Sequence, residues 1–260
     1  FGDRVAKSMS IIGDTIYHIE GRTWMGGANT RVMAFINGKQ SELPSREKLC
    51  AVNYKTGKVN WRFPSGAEGQ QGLSILAAPV AHSDQLLLPI ERNGELHFAS
   101  IDVNTGKQRW SRYLCRGPGS GGSRWATVGV SIVGSEVYIA TGFGVVFTLD
   151  AVNGNVQWAT RYKRSEIKNS NTRSRVFGMR SSTANLRTGF DNDTVIPVGD
   201  KLIVIPSDAD QLYCFSRIDG KLQYLSPRKS LRYCLGMHEG GIYLAGNESL
   251  RRYGIKSGKL

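Results

Sequence analysis

The sequence predicts an all-β protein, a β-propeller built from four-stranded antiparallel blades, and three observations predict it. A hairpin motif returns five times along the chain, and a second strand pair precedes the later copies. The composition, with 31 glycines among 260 residues and 40% hydrophobic residues, suits many short strands joined by turns. Helical repeats of similar length would show a period of about 3.6 residues and few glycines. A β-sandwich would also use short strands, but it offers no reason for a recurrent spacing from glycine to aromatic ring.

Taken in order, the hairpins run Leu49 to Phe63 (LCAVNYKTGKVNWRF), Phe98 to Tyr113 (FASIDVNTGKQRWSRY), Val146 to Thr160 (VFTLDAVNGNVQWAT), Leu212 to Ser226 (LYCFSRIDGKLQYLS) and Leu250 to Leu260 (LRRYGIKSGKL). Their anchor glycines are Gly57, Gly106, Gly154, Gly220 and Gly258. Each follows a small polar residue that favours a turn, and glycine supplies a positive φ without steric cost. Four residues after the glycine stand Trp61, Trp110, Trp158 and Tyr224. A large ring at one fixed place in each copy is best explained as packing between neighbouring units, because a single unit cannot bury its own face.

Upstream lie AAPVAHSDQLLLPIE, ATVGVSIVGSEVYIAT, DTVIPVGDKLIVIPS and RYCLGMHEGGIYLAG. Each reads as an apolar run, a polar turn and a β-branched or aromatic run, a second antiparallel pair. Two pairs per period of about 48 residues make one blade, so residues 1–260 form a single propeller domain with about five blades visible.

Motifs such as SIDVNTGKQRW and TLDAVNGNVQW resemble those of the pyrroloquinoline-quinone-like (PQQ-like) β-propeller repeat proteins over nearly the whole chain. The family's aspartate stands at Asp102 and Asp150 but is Asn53, Ser216 and Gly254 in the other copies, and Tyr224 replaces a tryptophan. The resemblance implies a ring of about seven or eight blades, so the chain is expected to be a piece of a longer polypeptide, with a closed five-blade ring sharing a blade between its termini as the alternative. It also implies a bacterial protein of the periplasm, the cell surface or the secreted fraction. Its non-catalytic branch implies a scaffold that binds a protein or an anionic macromolecule, with a strand edge pairing to a client as in outer-membrane assembly propellers. Its enzymatic branch, the alternative, is the quinone-dependent alcohol or sugar dehydrogenases, which hold PQQ with Ca²⁺ beneath an adjacent pair of cysteines. No such pair occurs here.

Insertions at residues 21–47 and 163–192 break the period, and enlarged loops on a rigid scaffold commonly carry binding. Lys and Arg total 34 against 21 Asp and Glu, a formal charge of +13 that favours anionic partners. Much of that excess lies in Arg161, Lys163, Arg164, Lys168, Arg173, Arg175, Arg180 and Arg187, opposed by Glu166 alone. This basic loop is the candidate binding site; a solvated loop is the plain alternative. Nucleic acid is disfavoured because aromatic residues scarcely interleave with the charges.

No catalytic constellation emerges. Asp191–Asp193 and Asp208–Asp210 offer hard oxygen ligands but not the EF-hand spacing. The glycine-rich stretch 117–123 lacks the Lys-Ser/Thr of a phosphate loop. His18, His82, His97 and His238 have no Cys or His at ligand spacing, so no metal site is expected. Cys50, Cys115, Cys214 and Cys234 read as apolar fillers, with one long-range disulfide as the alternative. No apolar run reaches the ~18 residues of a membrane helix, and a subunit of a larger assembly is a further reading.

Overall fold

In a computed structural model the described residues, 9–20, 33–36, 39–42, 47–65, 73–116, 128–165, 193–228, 231–246 and 248–259, contain only strands, turns and irregular segments. The first blade comprises β1 (Met9–Ile12), β2 (Thr15–Glu20), β3 (Met33–Ile36), β4 (Lys39–Glu42), β5 (Lys48–Asn53) and β6 (Val59–Phe63). Four of these align as β1-β2-β5-β6, while β3 and β4 form a separate hairpin inside the first insertion. The second has β7 (Leu73–Ile75), β8 (Val80–His82), β9 (Gln85–Arg92), β10 (Glu95–Asp102) and β11 (Gln108–Arg116), with β7 and β8 both paired to β9. The third is β12 (Gly129–Val133), β13 (Glu136–Ala140), β14 (Val145–Asp150) and β15 (Val156–Arg161). The fourth is β16 (Thr194–Val198), β17 (Lys201–Ile205), β18 (Gln211–Ser216) and β19 (Leu222–Pro227). The last sheet has β20 (Leu231–His238), β21 (Gly241–Gly246) and β22 (Leu250–Gly254). Every pairing between neighbouring strands within these sheets is antiparallel, which is the predicted blade architecture.

The core lies between sheets. Tyr17, Ile19, Leu49 and Ala51 of the first blade pack on Leu86, Leu88, Ile90, Ala99 and Ile101 of the second. Leu87, Leu96 and Phe98, on the opposite face, pack on Val137, Ile139 and Leu149 of the third. Strand β9 is thus apolar on both faces, which is why QLLLPI runs as a continuous stretch instead of alternating. The same arrangement joins the third blade to the fourth and the fourth to the last sheet. All four cysteines are free thiols, and Cys50 and Cys214 are buried; the long-range disulfide is not formed.

Four of the five hairpin turns are closed by a side-chain cap; the fifth has Gly254 at that place. The Asp102 carboxylate accepts hydrogen bonds from the Asn104 and Thr105 amides and the Thr105 hydroxyl; Asn53 and Asp150 accept equivalent amides in their copies. In the fourth copy the Ser216 hydroxyl takes one such amide, from Ile218. Short polar side chains at this place mimic a backbone turn, which explains why Asp, Asn and Ser interchange there.

One residue before each ring, Asn60, Arg109, Gln157 or Gln223, is an extra residue without a ladder partner. This bulge re-aims the aromatic side chain that follows it. The rings reach the turn of the next blade. Trp61 Nε1 donates to the Val103 carbonyl at 2.9 Å, Trp110 to Val152 at 2.8 Å and Trp158 to Arg217 at 2.9 Å. The Tyr224 hydroxyl donates to Ile255 at 2.5 Å. The ring faces lie against the following anchor glycine, where φ is +71° at Gly154 and a Cβ would stand 2.6 Å from Trp110 Cζ3.

Gly13 separates conformation from contact, since it also has a positive φ of +56° but nothing near a would-be Cβ. Gly13→Ala therefore destabilises the protein by about 1 kcal/mol, from backbone strain alone, whereas Gly154→Ala loses at least about 2 kcal/mol because the Trp110 ring must also be displaced. Urea denaturation of the two variants side by side checks this; equal losses would show that the ring gives way freely.

Candidate functional site

Chain direction sorts the connections onto two opposite faces. On one face both turns of a blade are bonded together: Tyr54 N–H to the Asp14 carbonyl, Val103 to Asp84, Ala151 to Ser135, Arg217 to Asp200 and Ile255 to Gly240. Each blade therefore presents two tight, mutually bonded turns there. Because neighbouring strands are antiparallel, the remaining connections leave from the opposite face. That face receives the links between blades, the insertion between β2 and β5, and the insertion between β15 and β16.

The second insertion leaves the third blade beside a polar cluster. Tyr162, just beyond β15, is buried, and its amide is held by the Gly144 carbonyl at 2.9 Å. Its hydroxyl donates to Asp208 Oδ1 at 2.7 Å, while Arg164 Nε donates to Asp208 Oδ2 at 2.9 Å. Asp208 is only 3% exposed, and it lies in the fourth blade between β17 and β18. Burial above all, then the nearby Asp208 and Asp193 carboxylates, push the Tyr162 hydroxyl well above its ordinary range, so it remains a donor. The Arg164 guanidinium also lies 5.8 Å from the Phe143 ring centroid.

Ser165 continues the join: its amide donates to the Asp208 carbonyl at 3.0 Å and its hydroxyl to Asp210 Oδ1 at 2.8 Å. The Tyr213 hydroxyl donates to the Lys163 carbonyl at 2.5 Å. Asp193, at the return of the insertion, accepts the Ser207 amide at 2.7 Å and the Ser207 hydroxyl at 3.2 Å. Arg228, fully buried, reaches the carbonyls of Ala209 and Leu231 at 2.5 and 2.9 Å. Burial lowers its pKa to about 10, which leaves it protonated near neutrality. The bonds of Tyr162, Lys163, Arg164, Ser165 and Asp193 latch the ends of the insertion to the third and fourth blades, and Arg228 ties the fourth blade to the start of the last sheet.

Of the basic-loop residues, Arg161 and Lys163 are exposed at the edge of this latch, and Arg164 is spent on Asp208 and Phe143. Lys168, Arg173, Arg175, Arg180 and Arg187 lie outside the described residues, as do Asp191 and the glycine-rich stretch 117–123. The oxygens of Asp193 and Asp208 are occupied by donors of the protein itself, and Asp210 accepts from Ser165. Among the described residues these carboxylates serve the join between blades, and no step through Ca²⁺ or a quinone follows from them. Tyr162, Ser165, Tyr213 and Arg228 carry no local sequence signal; strand pairing and blade packing alone bring them together. No helix among the described residues is long and apolar enough to cross a membrane.

A family model, PQQ_2, described as outer membrane protein assembly factor BamB, matches residues 28–223. Among solved structures, BamB from Moraxella catarrhalis is similar with a TM-score of 0.54 at 18% identity, over 82% of this chain and 53% of that one. A europium-containing methanol dehydrogenase is similar with a TM-score of 0.50 at 14% identity, over 96% of this chain and 54% of that one. The chain thus spans about half the length of each, and at these identities the likeness is one of fold. No curated protein sequence matches the chain.

Proposed function

The chain belongs to the PQQ_2 family of β-propeller proteins, and from that membership we propose that it serves as a non-catalytic scaffold that docks an acidic protein partner in the bacterial periplasm. The observation that carries this reading is the segregation of connections. The face of tight turns is closed on itself, while the opposite face gathers the enlarged connections and displays Arg161 and Lys163. A rigid blade stack with a positively charged loop face favours an anionic partner surface and speeds its encounter. The family description, an assembly factor, agrees with a role exercised through binding.

A photo-crosslinking side chain placed at Lys163, compared with one at Lys107 on the tight-turn face, tests the proposal in intact cells. A discrete protein adduct is expected from position 163 and none from position 107. Adducts from position 107 alone would move the interface to the other face, and adducts to polysaccharide instead of protein would overturn the partner class. Charge reversal at Arg161 and Lys163 together should weaken the adduct at least about tenfold, most strongly at low ionic strength.

A further inference from the structure

The first blade carries a group of side chains that the scaffold reading does not use. His18 and Glu20 stand two residues apart on β2 and so share one face of the sheet. On β5, Cys50 lies directly opposite His18, and on β6 Arg62 lies directly opposite Cys50. This face is the reverse of the one on which Tyr17, Ile19, Leu49 and Ala51 enter the core against the second blade.

Ligand atoms of His18, Glu20 and Cys50 all lie within 4.8 Å of one another. In tetrahedral zinc coordination neighbouring ligand atoms are about 3.5 Å apart, so the three need close by only about 1 Å, within reach of side-chain adjustment. The Glu20 carboxylate is already divided between two tasks. Its Oε2 accepts from Arg62 Nε at 3.2 Å, while Oε1 faces His18 Nε2 at 4.0 Å. The site is closed on one side and open on the other: Cys50 is fully buried, whereas the His18 and Glu20 side chains are 34% and 38% exposed.

We propose that His18, Glu20 and Cys50 form a binding site for a thiophilic divalent ion of the zinc class, with Arg62 holding the second carboxylate oxygen of Glu20. The donor set decides the class. Thiolate and imidazole select zinc-like ions over Ca²⁺ and Mg²⁺, which take oxygen ligands. A thiolate and a carboxylate together neutralise the charge of such an ion, and three protein ligands leave a fourth position for water. Arg62 acts as an outer partner that orients a ligating carboxylate. In the metal-free protein burial, reinforced by Glu20, pushes the Cys50 thiol up to about 12, so it is protonated there. Binding breaks the S–H bond, forms the metal–sulfur bond and releases one proton to solvent.

Titration of the purified chain with Co²⁺, followed by absorbance, tests the site. One equivalent should produce a thiolate-to-cobalt charge-transfer band in the near ultraviolet and visible bands of tetrahedral form, both erased by Zn²⁺. Cys50→Ala should abolish the charge-transfer band. Because that buried position is sensitive to packing, His18→Gln supplies the second test: Co²⁺ affinity falls at least about tenfold while thermal unfolding of the metal-free protein is unchanged. Failure of the wild type to give the band overturns the proposal. So does a band that survives in Cys50→Ala, which would assign it to Cys115, Cys214 or Cys234, or an affinity unaltered by His18→Gln.

Discussion

Replacing Trp158 with alanine lowers the free energy of unfolding by about 3 kcal/mol, and replacing it with phenylalanine costs about 1 kcal/mol. The indole covers Gly220, packs against the cluster between the third and fourth blades, and gives its N–H to the Arg217 carbonyl at 2.9 Å. Alanine removes both packing and bond, whereas phenylalanine keeps a ring over the glycine and loses the bond. In a fold of stacked units, stability resides largely in the interfaces between neighbours, so a ring that ties one turn to the next acts where the array is joined. Urea denaturation followed by circular dichroism measures both losses. A cost below about 1 kcal/mol for alanine would reduce the ring to surface cover and would remove the physical reason for its recurrence.

Asp208→Ala costs a similar amount, about 3 kcal/mol, through a different mechanism. It leaves the buried Tyr162 hydroxyl without its acceptor and Arg164 without its carboxylate, both at the join between the third and fourth blades. Asp208→Asn, which retains one acceptor oxygen and the shape, costs roughly half as much. The decisive measurement is a double-mutant cycle with Arg164→Ala. Coupling of about 1 kcal/mol or more is expected if the two side chains act as one latch, and losses that add within about 0.5 kcal/mol would refute it. The consequence reaches beyond stability, because the latch fixes the chain from which Arg161 and Lys163 project.

The fold was legible because its signals are local and repeated. A glycine that must adopt positive φ, a short polar cap before it and an aromatic residue after it are all set by residues within one turn of each other; the glycine returns in all five copies, the cap and the ring in four. The polar sites were less legible. Asp208 and Asp210 stand out in the sequence as oxygen donors, but their partners Tyr162, Arg164 and Ser165 come from another blade, so their use as a latch cannot be read from spacing. The ligand group at His18 was missed for the same reason: Cys50 reaches it only because β2 pairs with β5 across a long insertion, which hides the relation from any search for ligands at short intervals.

By itself, then, the sequence determined the period, the five anchor turns, the strand pairs of the later blades and the family to which these motifs belong, since all of these depend on backbone preference and pattern within one unit; the β1–β2 pair, the β3–β4 hairpin and β7 were not read from it, and the last sheet has three strands. The tertiary structure alone decided which partner each side chain meets: that every ring caps the glycine of the following blade, that a bulge before the ring aims it there, that the long connections share one face, and that histidine, glutamate and cysteine converge on one sheet. The physical reason is that contacts between strands and between blades depend on register and stacking, which few residues specify locally and which only the packed apolar faces settle.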